Sequence, residues 1–102
     1  MKSVCFLQTA KKDLADIRRY IARRSGSISV AQGFIKKLRN ACHKYAAIQG
    51  TIGQSRPELR PDIRSIPYEN YVIFFRYIDD QFEVVNILES HRDIDGFFGG
   101  EG

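Results

Sequence analysis

The sequence predicts an α+β fold: an N-terminal strand, an antiparallel helical hairpin, and then a three-stranded antiparallel sheet. In the first half, two long segments repeat apolar residues at helical spacing, and a Ser-Gly-Ser break separates them. In the second half, short runs of β-branched and aromatic residues alternate with turn residues, as in antiparallel strands. A chain of 102 residues has the size of one domain, which we expect over residues 1–98, with a disordered glycine-rich tail at 99–102.

The first half is expected to contain one strand and two helices. The apolar run at residues 4–7 predicts a buried strand, and Thr9 is the expected N-cap of the first helix. That helix should end at Ser25-Gly26-Ser27, and a second should run from the N-cap Ser29 to Gly50. Because their connection is short, the helices should be antiparallel neighbours that cover a sheet. The apolar face of the first helix consists of Ala10, Leu14, Ile17 and Ile21.

Three strands are expected in the second half, at residues 63–66, 71–78 and 82–88. Asp79-Asp80 predicts a tight hairpin between the last two, with strand partners placed symmetrically about that turn. The expected pairs are Arg76 with Glu83, Tyr77 with Phe82, Phe75 with Val84, and Val72 with Ile87.

Both faces of this hairpin are apolar. The face expected under the helices carries Tyr71, Ile73, Phe75, Tyr77, Phe82, Val84 and Leu88, interrupted by Asn86. The other face carries Val72, Phe74, Val85 and Ile87 beside Arg76 and Glu83. A face this apolar is unusual for a surface that meets only water, so we expect a partner to dock there.

The charge is divided unevenly along the chain. The formal net charge is +4, but residues 1–50 hold eleven Lys and Arg against two Asp, whereas residues 51–102 hold five Arg against ten acids. The basic half predicts an acidic partner. Direct nucleic-acid binding is not expected, because the sequence has no helix-turn-helix spacing or zinc finger and its aromatic residues lie mostly at core positions.

Several functional classes lack their sequence signals. No apolar run approaches the roughly 20 residues of a membrane span and no signal segment is present, so a cytoplasmic location is expected. Cys5 and Cys42 have no zinc-site spacing and are interpreted as reduced core thiols. Phosphate-binding loops and hydrolase motifs are absent as well, so neither a metal nor a cofactor is expected.

The arginines of the second half leave a catalytic alternative open. Such cations can hold a phosphodiester while a histidine moves a proton, as in a metal-free ribonuclease. The residues of this alternative are Arg64, Arg76, His91 and Arg92. The competing interpretation is structural, with Arg76 paired to Glu83, and with Arg56 and Arg60 neutralising Glu58 and Asp62.

A series of motifs extends from Asp13 to Phe98. Those of the first half are Asp13-Leu14-Ala15-Asp16-Ile17, Tyr20-Ile21, Ser25-Gly26, and Ala31 to Phe34 with Leu38. Those of the second half are Arg56-Pro57-Glu58-Leu59, Ile63-Arg64-Ser65, Tyr71-Val72-Ile73-Phe74-Phe75-Arg76 and Arg92-Asp93-Ile94. Together they resemble the ParE toxins of the RelE/ParE superfamily, from bacterial type II toxin–antitoxin pairs. The chain departs from the family pattern at Glu89, where a histidine is usual, and at 49–53, which lacks a proline but keeps Gly53 for the turn.

The resemblance implies a toxin that inhibits DNA gyrase and replication and is neutralised by a cognate ParD-like antitoxin, small, acidic and partly disordered. Such inhibition acts by binding and is not enzymatic. Two alternatives stay open: a RelE-like ribosome-dependent messenger RNA interferase, and an antitoxin-bound relative that has lost toxicity. The gyrase branch is favoured because no lysine follows Lys44, so the lysine-rich catalytic loop of the RelE-like branch is missing.

The residues expected to contact a partner combine helical cations, the second sheet face and the C-terminal segment. They are Arg18, Arg19, Arg23, Val72, Phe74, Arg76, Val85, Ile87, His91, Arg92, Phe97 and Phe98. For Phe97 and Phe98 a second interpretation is that one of them seals the edge of the core.

Overall fold

The computed structural model describes residues 2–91 and 94–99, so Arg92 lies outside the described residues. In chain order the elements are β1 Ser3–Phe6, α1 Gln8–Ser25, α2 Ile28–Ala47, β2 Gln54–Ser55, β3 Arg64–Tyr68, β4 Tyr71–Ile78, β5 Gln81–Glu89 and α3 Ile94–Gly99. The predicted α+β class is confirmed: a strand comes first, a helical hairpin next and then the antiparallel strands, which the short helix α3 follows. Gly99, expected in the tail, is the last residue of α3, and residues 100–102 lie outside the described residues.

Helix α1 begins earlier than predicted. Its N-cap is Leu7, which has no side-chain oxygen to cap the helix, so the prediction of Thr9 as the cap is wrong. The Thr9 hydroxyl instead donates to the backbone oxygen of Val85, 2.5 Å away, and so ties the first turn of α1 to β5. Thr9 cannot cap α1 because it already lies inside the helix, so its hydroxyl bonds to a neighbouring strand instead.

The turn between the helices is shorter than predicted. Gly26 ends α1 in the left-handed conformation, with φ 70°, and its N–H donates to the oxygen of Ala22. Ser27, not Ser29, is the N-cap of α2, since its hydroxyl oxygen accepts from the backbone N–H of Val30 at 3.1 Å. The helices are therefore joined by two residues, and α2 ends at Ala47.

The sheet has five strands in the order β1-β5-β4-β3-β2. The three predicted strands are antiparallel neighbours at its centre and on one side. β1 adds to β5 in parallel, because the chain passes through the helical hairpin before it returns to the sheet. The two-residue strand β2 pairs with the start of β3 and was not predicted.

The β4–β5 hairpin follows the predicted register only near its turn. Asp79 and Asp80 have φ of 49° and 63°, as a type I′ turn requires. The predicted pair of Arg76 with Glu83 is confirmed, as are the pairs on either side of it. Beyond Phe75 the register shifts by a β-bulge, so Val72 pairs with Leu88 and not with Ile87 as predicted.

The side chain of Asp13 explains the bulge. From α1, Asp13 Oδ2 accepts from Asn86 Nδ2 at 2.8 Å and from the backbone N–H of Ile87 at 2.9 Å. The second bond satisfies a backbone N–H beside the point where the ladder slips, and the first holds the Asn86 side chain there. The slip moves Ile87 into the core under the helices and Leu88 into the core on the other face, the reverse of their predicted places.

The second sheet face is covered by the chain itself. Leu59 and Ile63 of the loop before β3, together with Phe98 of α3, pack on this face. Phe74 and Val85 are 0% and 6% exposed, and Ile87, on the opposite face, is 2% exposed. The prediction that this face lies open to a partner is therefore wrong, because the loop and α3 bury it; Val72 remains half-buried there.

Gly53 should be the least replaceable of the glycines in turns. Its φ is 80°, and a Cβ there would lie 2.8 Å from the backbone oxygen of Ser65 and 3.0 Å from Ile66 Cγ1. We expect Gly53→Ala to lower the free energy of unfolding by about 2 kcal/mol, from the left-handed backbone plus the clash. Urea denaturation measures this change in the free energy of unfolding. Gly50→Ala is the matched control, since Gly50 has the same φ with nothing within 4 Å; equal losses in the two variants would contradict the clash.

Cys42 should make stability fall at alkaline pH. Cys5 is half-buried and Cys42 buried, and both are free thiols. Burial raises the pKa of Cys42 from an ordinary value of 9.0 to about 12. The folded protein thus keeps a proton that the unfolded chain releases, so stability is lost as pH rises from about 9, by up to about 1.4 kcal/mol per pH unit. Urea titrations at pH 8 to 10 should show a steeper decline for the unmodified protein than for Cys42→Ala; parallel profiles would refute this.

Candidate partner-binding site

A cationic groove runs along the helical hairpin. It has a volume of about 380 Å³ and is lined by Arg18 of α1 and by Gln32, Ile35, Lys36, Arg39, Asn40 and His43 of α2. The α2 residues recur every three or four positions, which places them in a row on one face of the helix. Three of the lining residues are Lys or Arg and none is acidic. We refer to this surface as the cationic groove.

The end of the cationic groove is shaped by Phe6 of β1. The Arg39 guanidinium lies 4.7 Å from the centroid of the Phe6 ring, and the His43 ring meets the same ring edge-on at 6.4 Å. Stacking on an aromatic face holds Arg39 in place without neutralising it. Within the described part of the chain, no ion pair involves Arg18, Lys36 or Arg39. Their charge therefore remains available to an anionic ligand.

Of the three α1 cations predicted from the sequence, one lines this groove. Arg18 does so, whereas Arg19 pairs with Asp16, which also binds Lys12 at 3.0 Å. Lys12 and then Arg19 hold the pKa of the Asp16 carboxyl below its usual range. Arg23 is exposed in the last turn of α1. Lys36, Arg39 and His43 were missed, although their helical spacing on one face of α2 was a readable signal.

Arg76 is held by two carboxylates at the sheet surface. Its Nε donates to Glu83 Oε1 at 2.5 Å and its Nη1 to Asp62 Oδ2 at 3.1 Å. Glu83 is buried, with 8% exposure. These hydrogen bonds raise the pKa of Arg76 above its usual range, with Glu83 as the main cause. Asp62, expected to neutralise Arg60, thus pairs with Arg76 instead, because Arg60 stacks over the ring of Phe98 at 5.3 Å.

The side chains of Arg64 and Arg56 stabilise the loop around β2. Arg64 donates to the backbone oxygens of Ile52 and Gly53, at 2.8 and 2.9 Å. The expected pair of Arg56 with Glu58 is present at 2.6 Å and holds the pKa of Glu58 below its usual range. Two members of the catalytic alternative, Arg64 and Arg76, are thus engaged in structural contacts.

The C-terminal aromatic residues separate into a buried and an exposed one. Phe98 is 7% exposed, and its ring centroid lies 4.9 Å from that of Phe74. Phe97 is 43% exposed. The interpretation that one of the two seals the core is confirmed for Phe98, which is therefore not a surface contact residue in this structure. His91 is exposed in the turn after β5.

Over residues 2–91 and 94–99, no helix is long and apolar enough to cross a membrane. Among the same residues, no three His, Cys, Asp or Glu side chains lie together as a metal site requires.

Comparison with known proteins finds a matching family model and similar solved structures. The family model of the ParE toxin of the type II toxin–antitoxin system, parDE, matches residues 4–94. A solved structure described as the chromosomal ParDE TA system from P. aeruginosa is similar, with a TM-score of 0.75 and 18% sequence identity, covering 87% of this chain and 96% of that chain. None of the curated proteins searched matches this chain. At this identity the structural likeness concerns the fold, whereas the family match covers most of the sequence.

Proposed function

Because the chain belongs to the ParE toxin family of type II toxin–antitoxin systems, we propose that it inhibits DNA gyrase and thereby blocks replication. A small, acidic, partly disordered antitoxin neutralises it in the cytoplasm. The family match supports the toxin assignment, and the cationic groove is the observation that supports an acidic antitoxin.

The groove suits an acidic segment that orders as it binds. Arg18, Lys36 and Arg39 offer three positive charges that form no ion pair among the described residues, and Ile35 adds apolar surface to the groove. A disordered acidic peptide gains charge complementarity along such a row, and it buries apolar side chains against the aliphatic part of the groove. Arg23 of α1 is exposed but is not among the residues that line the groove.

The contacts of Arg64 and Arg76 favour a toxin that acts by binding its target over one that cleaves RNA. A cation that stabilises a phosphodiester transition state must be free to approach the substrate. Arg76 is occupied by Glu83 and Asp62, and Arg64 by two backbone oxygens. No lysine follows Lys44 to act in their place. These contacts support inhibition by binding.

Induction of the protein alone in bacteria separates the candidate functions. Incorporation of labelled thymidine and labelled methionine is followed after induction, with and without co-expression of the antitoxin encoded beside its gene. A gyrase inhibitor stops thymidine incorporation first, and the antitoxin restores it. An early stop in methionine incorporation would instead support the RelE-like interferase, and unimpaired growth would support a relative without toxicity.

A further inference from the structure

A second concave site lies where α1 crosses the ends of β4 and β5. It has a volume of about 210 Å³, far more than the roughly 30 Å³ that one water molecule occupies. Asp16 and Tyr20 line it from α1, while Tyr71 and Glu89 line it from the sheet. Tyr71 is the first residue of β4 and pairs with Glu89, the last residue of β5, so the strand register brings them together. We call this site the acidic pocket.

The hydroxyl of Tyr71 is an unused polar group in the acidic pocket. Tyr71 is only 9% exposed and its ring packs on Phe34 at 5.7 Å. No hydrogen bond to its hydroxyl is made within the described residues, among which every fully buried side-chain nitrogen or oxygen has a partner. The hydroxyl is therefore not fully buried, and Tyr71 is one of the residues that line the pocket. Burial, reinforced by Glu89, raises the pKa of Tyr71, so the hydroxyl stays neutral.

The charged residues that line the acidic pocket are all acidic. Glu89 is exposed and forms no ion pair within the described residues. Asp16 is shared by Lys12 and Arg19, and Asp13 is committed to the bulge of β5. Glu89 is thus the carboxylate left for a ligand, beside a tyrosine hydroxyl that can accept a hydrogen bond.

The aromatic wall of the acidic pocket selects among cations. Tyr20 is 49% exposed, and the guanidinium of Arg24 already lies 5.8 Å from its ring centroid. Ile17 and Ile87 give the pocket apolar walls. A flat, weakly hydrated guanidinium suits such walls better than a compact, strongly hydrated ammonium. A metal ion fits poorly, because no three ligand side chains converge within the described residues.

We propose that the acidic pocket receives the guanidinium of an arginine side chain from a protein partner. The guanidinium donates to the carboxylate of Glu89 and to the hydroxyl of Tyr71, and its plane lies against the apolar walls. The pocket is separate from the cationic groove in its lining residues and selects the opposite charge. A partner that carries both an acidic stretch and an arginine can thus be fixed in one orientation.

Amide chemical shifts of the intact protein test this proposal. The ¹⁵N-labelled protein is titrated with N-acetyl-arginine amide, with the neutral citrulline analogue and the lysine analogue as controls. We expect saturable shifts confined to residues around Tyr71, Ile87 and Glu89 with the arginine probe, at an affinity in the millimolar range, and much smaller shifts with the other two. Glu89→Gln should weaken arginine binding by about tenfold.

Two further variants test whether binding of the arginine probe depends on residues of the acidic pocket. Tyr71→Phe removes only the hydroxyl and should also weaken binding, while its ring keeps the packing on Phe34. Glu69→Gln removes an exposed carboxylate outside the pocket and should leave binding unchanged. Equal shifts with citrulline or lysine, or full binding by Glu89→Gln, would overturn the proposal. Because the measurement uses no toxicity or gyrase readout, its failure is distinguishable from failure of the proposed function.

Discussion

Replacing Arg18 and Lys36 together with glutamate should weaken binding of the cognate antitoxin by about 100-fold to 1,000-fold. Both side chains are exposed, line the cationic groove and form no ion pair within the described residues. The change reverses two contacts with an acidic ligand, and close charge pairs across interfaces contribute about 1.5 kcal/mol or more each. The fold should be unaffected, since neither side chain packs in the core.

Isothermal titration calorimetry measures the effect. The matched control is Lys11→Glu with Lys44→Glu, which changes the net charge equally at two exposed helical positions outside the groove. Long-range attraction falls equally in both variants, so a difference between them reports contacts within the groove. Equal weakening in the two variants, or none in either, would show that the antitoxin does not occupy the groove.

Arg76→Ala should lower the free energy of unfolding by about 3 kcal/mol. Glu83 is 8% exposed, so removal of its partner leaves a buried carboxylate without its main hydrogen bond. Replacing both members of the pair, as in Arg76→Met with Glu83→Leu, should recover most of the loss, because no buried charge is left unpaired and the other partner of Arg76, Asp62, is exposed. Urea denaturation of the three proteins is the measurement.

A comparison variant separates this pair from a general effect of arginine removal. Arg60→Ala removes an exposed arginine that only lies over the ring of Phe98, and it should cost less than about 1 kcal/mol. A similar small loss for Arg76→Ala would mean that the carboxylates do not depend on it. If the protein cleaves ribosome-bound messenger RNA and Arg76→Ala abolishes cleavage at unchanged stability, Arg76 is catalytic and the structural role is wrong.

The hairpin shows how far sequence pattern can predict register. Near Asp79-Asp80 the turn chemistry determines which residues pair, and Arg76 with Glu83 was predicted correctly. Past Phe75 the register depends on hydrogen bonds that Asn86 and Ile87 donate to Asp13, which lies 73 and 74 positions before them in the sequence. Local alternation cannot reveal such a contact, so Ile87 and Leu88 were assigned to each other's faces.

Burial of the second sheet face also depends on contacts between residues that are distant in the sequence. The sequence correctly predicted that this face is apolar, and one interpretation placed Phe97 or Phe98 at the edge of the core, but nothing in the sequence indicated that Leu59 and Ile63 cover the face. Leu59, Ile63 and Phe98 lie in a loop and a short C-terminal helix, where apolar residues have no periodic pattern. Their packing follows from the tertiary structure, which is why a partner was expected where the chain covers itself.

The cationic groove could be predicted only in part. Charge counts along the chain identified the basic half, and Arg18 was among the residues chosen. The groove itself arises where α1 packs beside α2, and Lys36 and Arg39 join Arg18 only across that contact. Periodicity within α2 does not show that Lys36 and Arg39 border α1.

Supercoiling by purified DNA gyrase is the most direct test of the central claim. The protein is added to gyrase, relaxed plasmid and ATP over a range of concentrations, with and without the cognate antitoxin, while the same preparation is assayed on ribosomes translating a defined messenger RNA. We predict loss of supercoiling that the antitoxin reverses, with the messenger RNA left intact. Undiminished supercoiling at a large molar excess of active protein, accompanied by cleavage of the ribosome-bound message, would contradict the account.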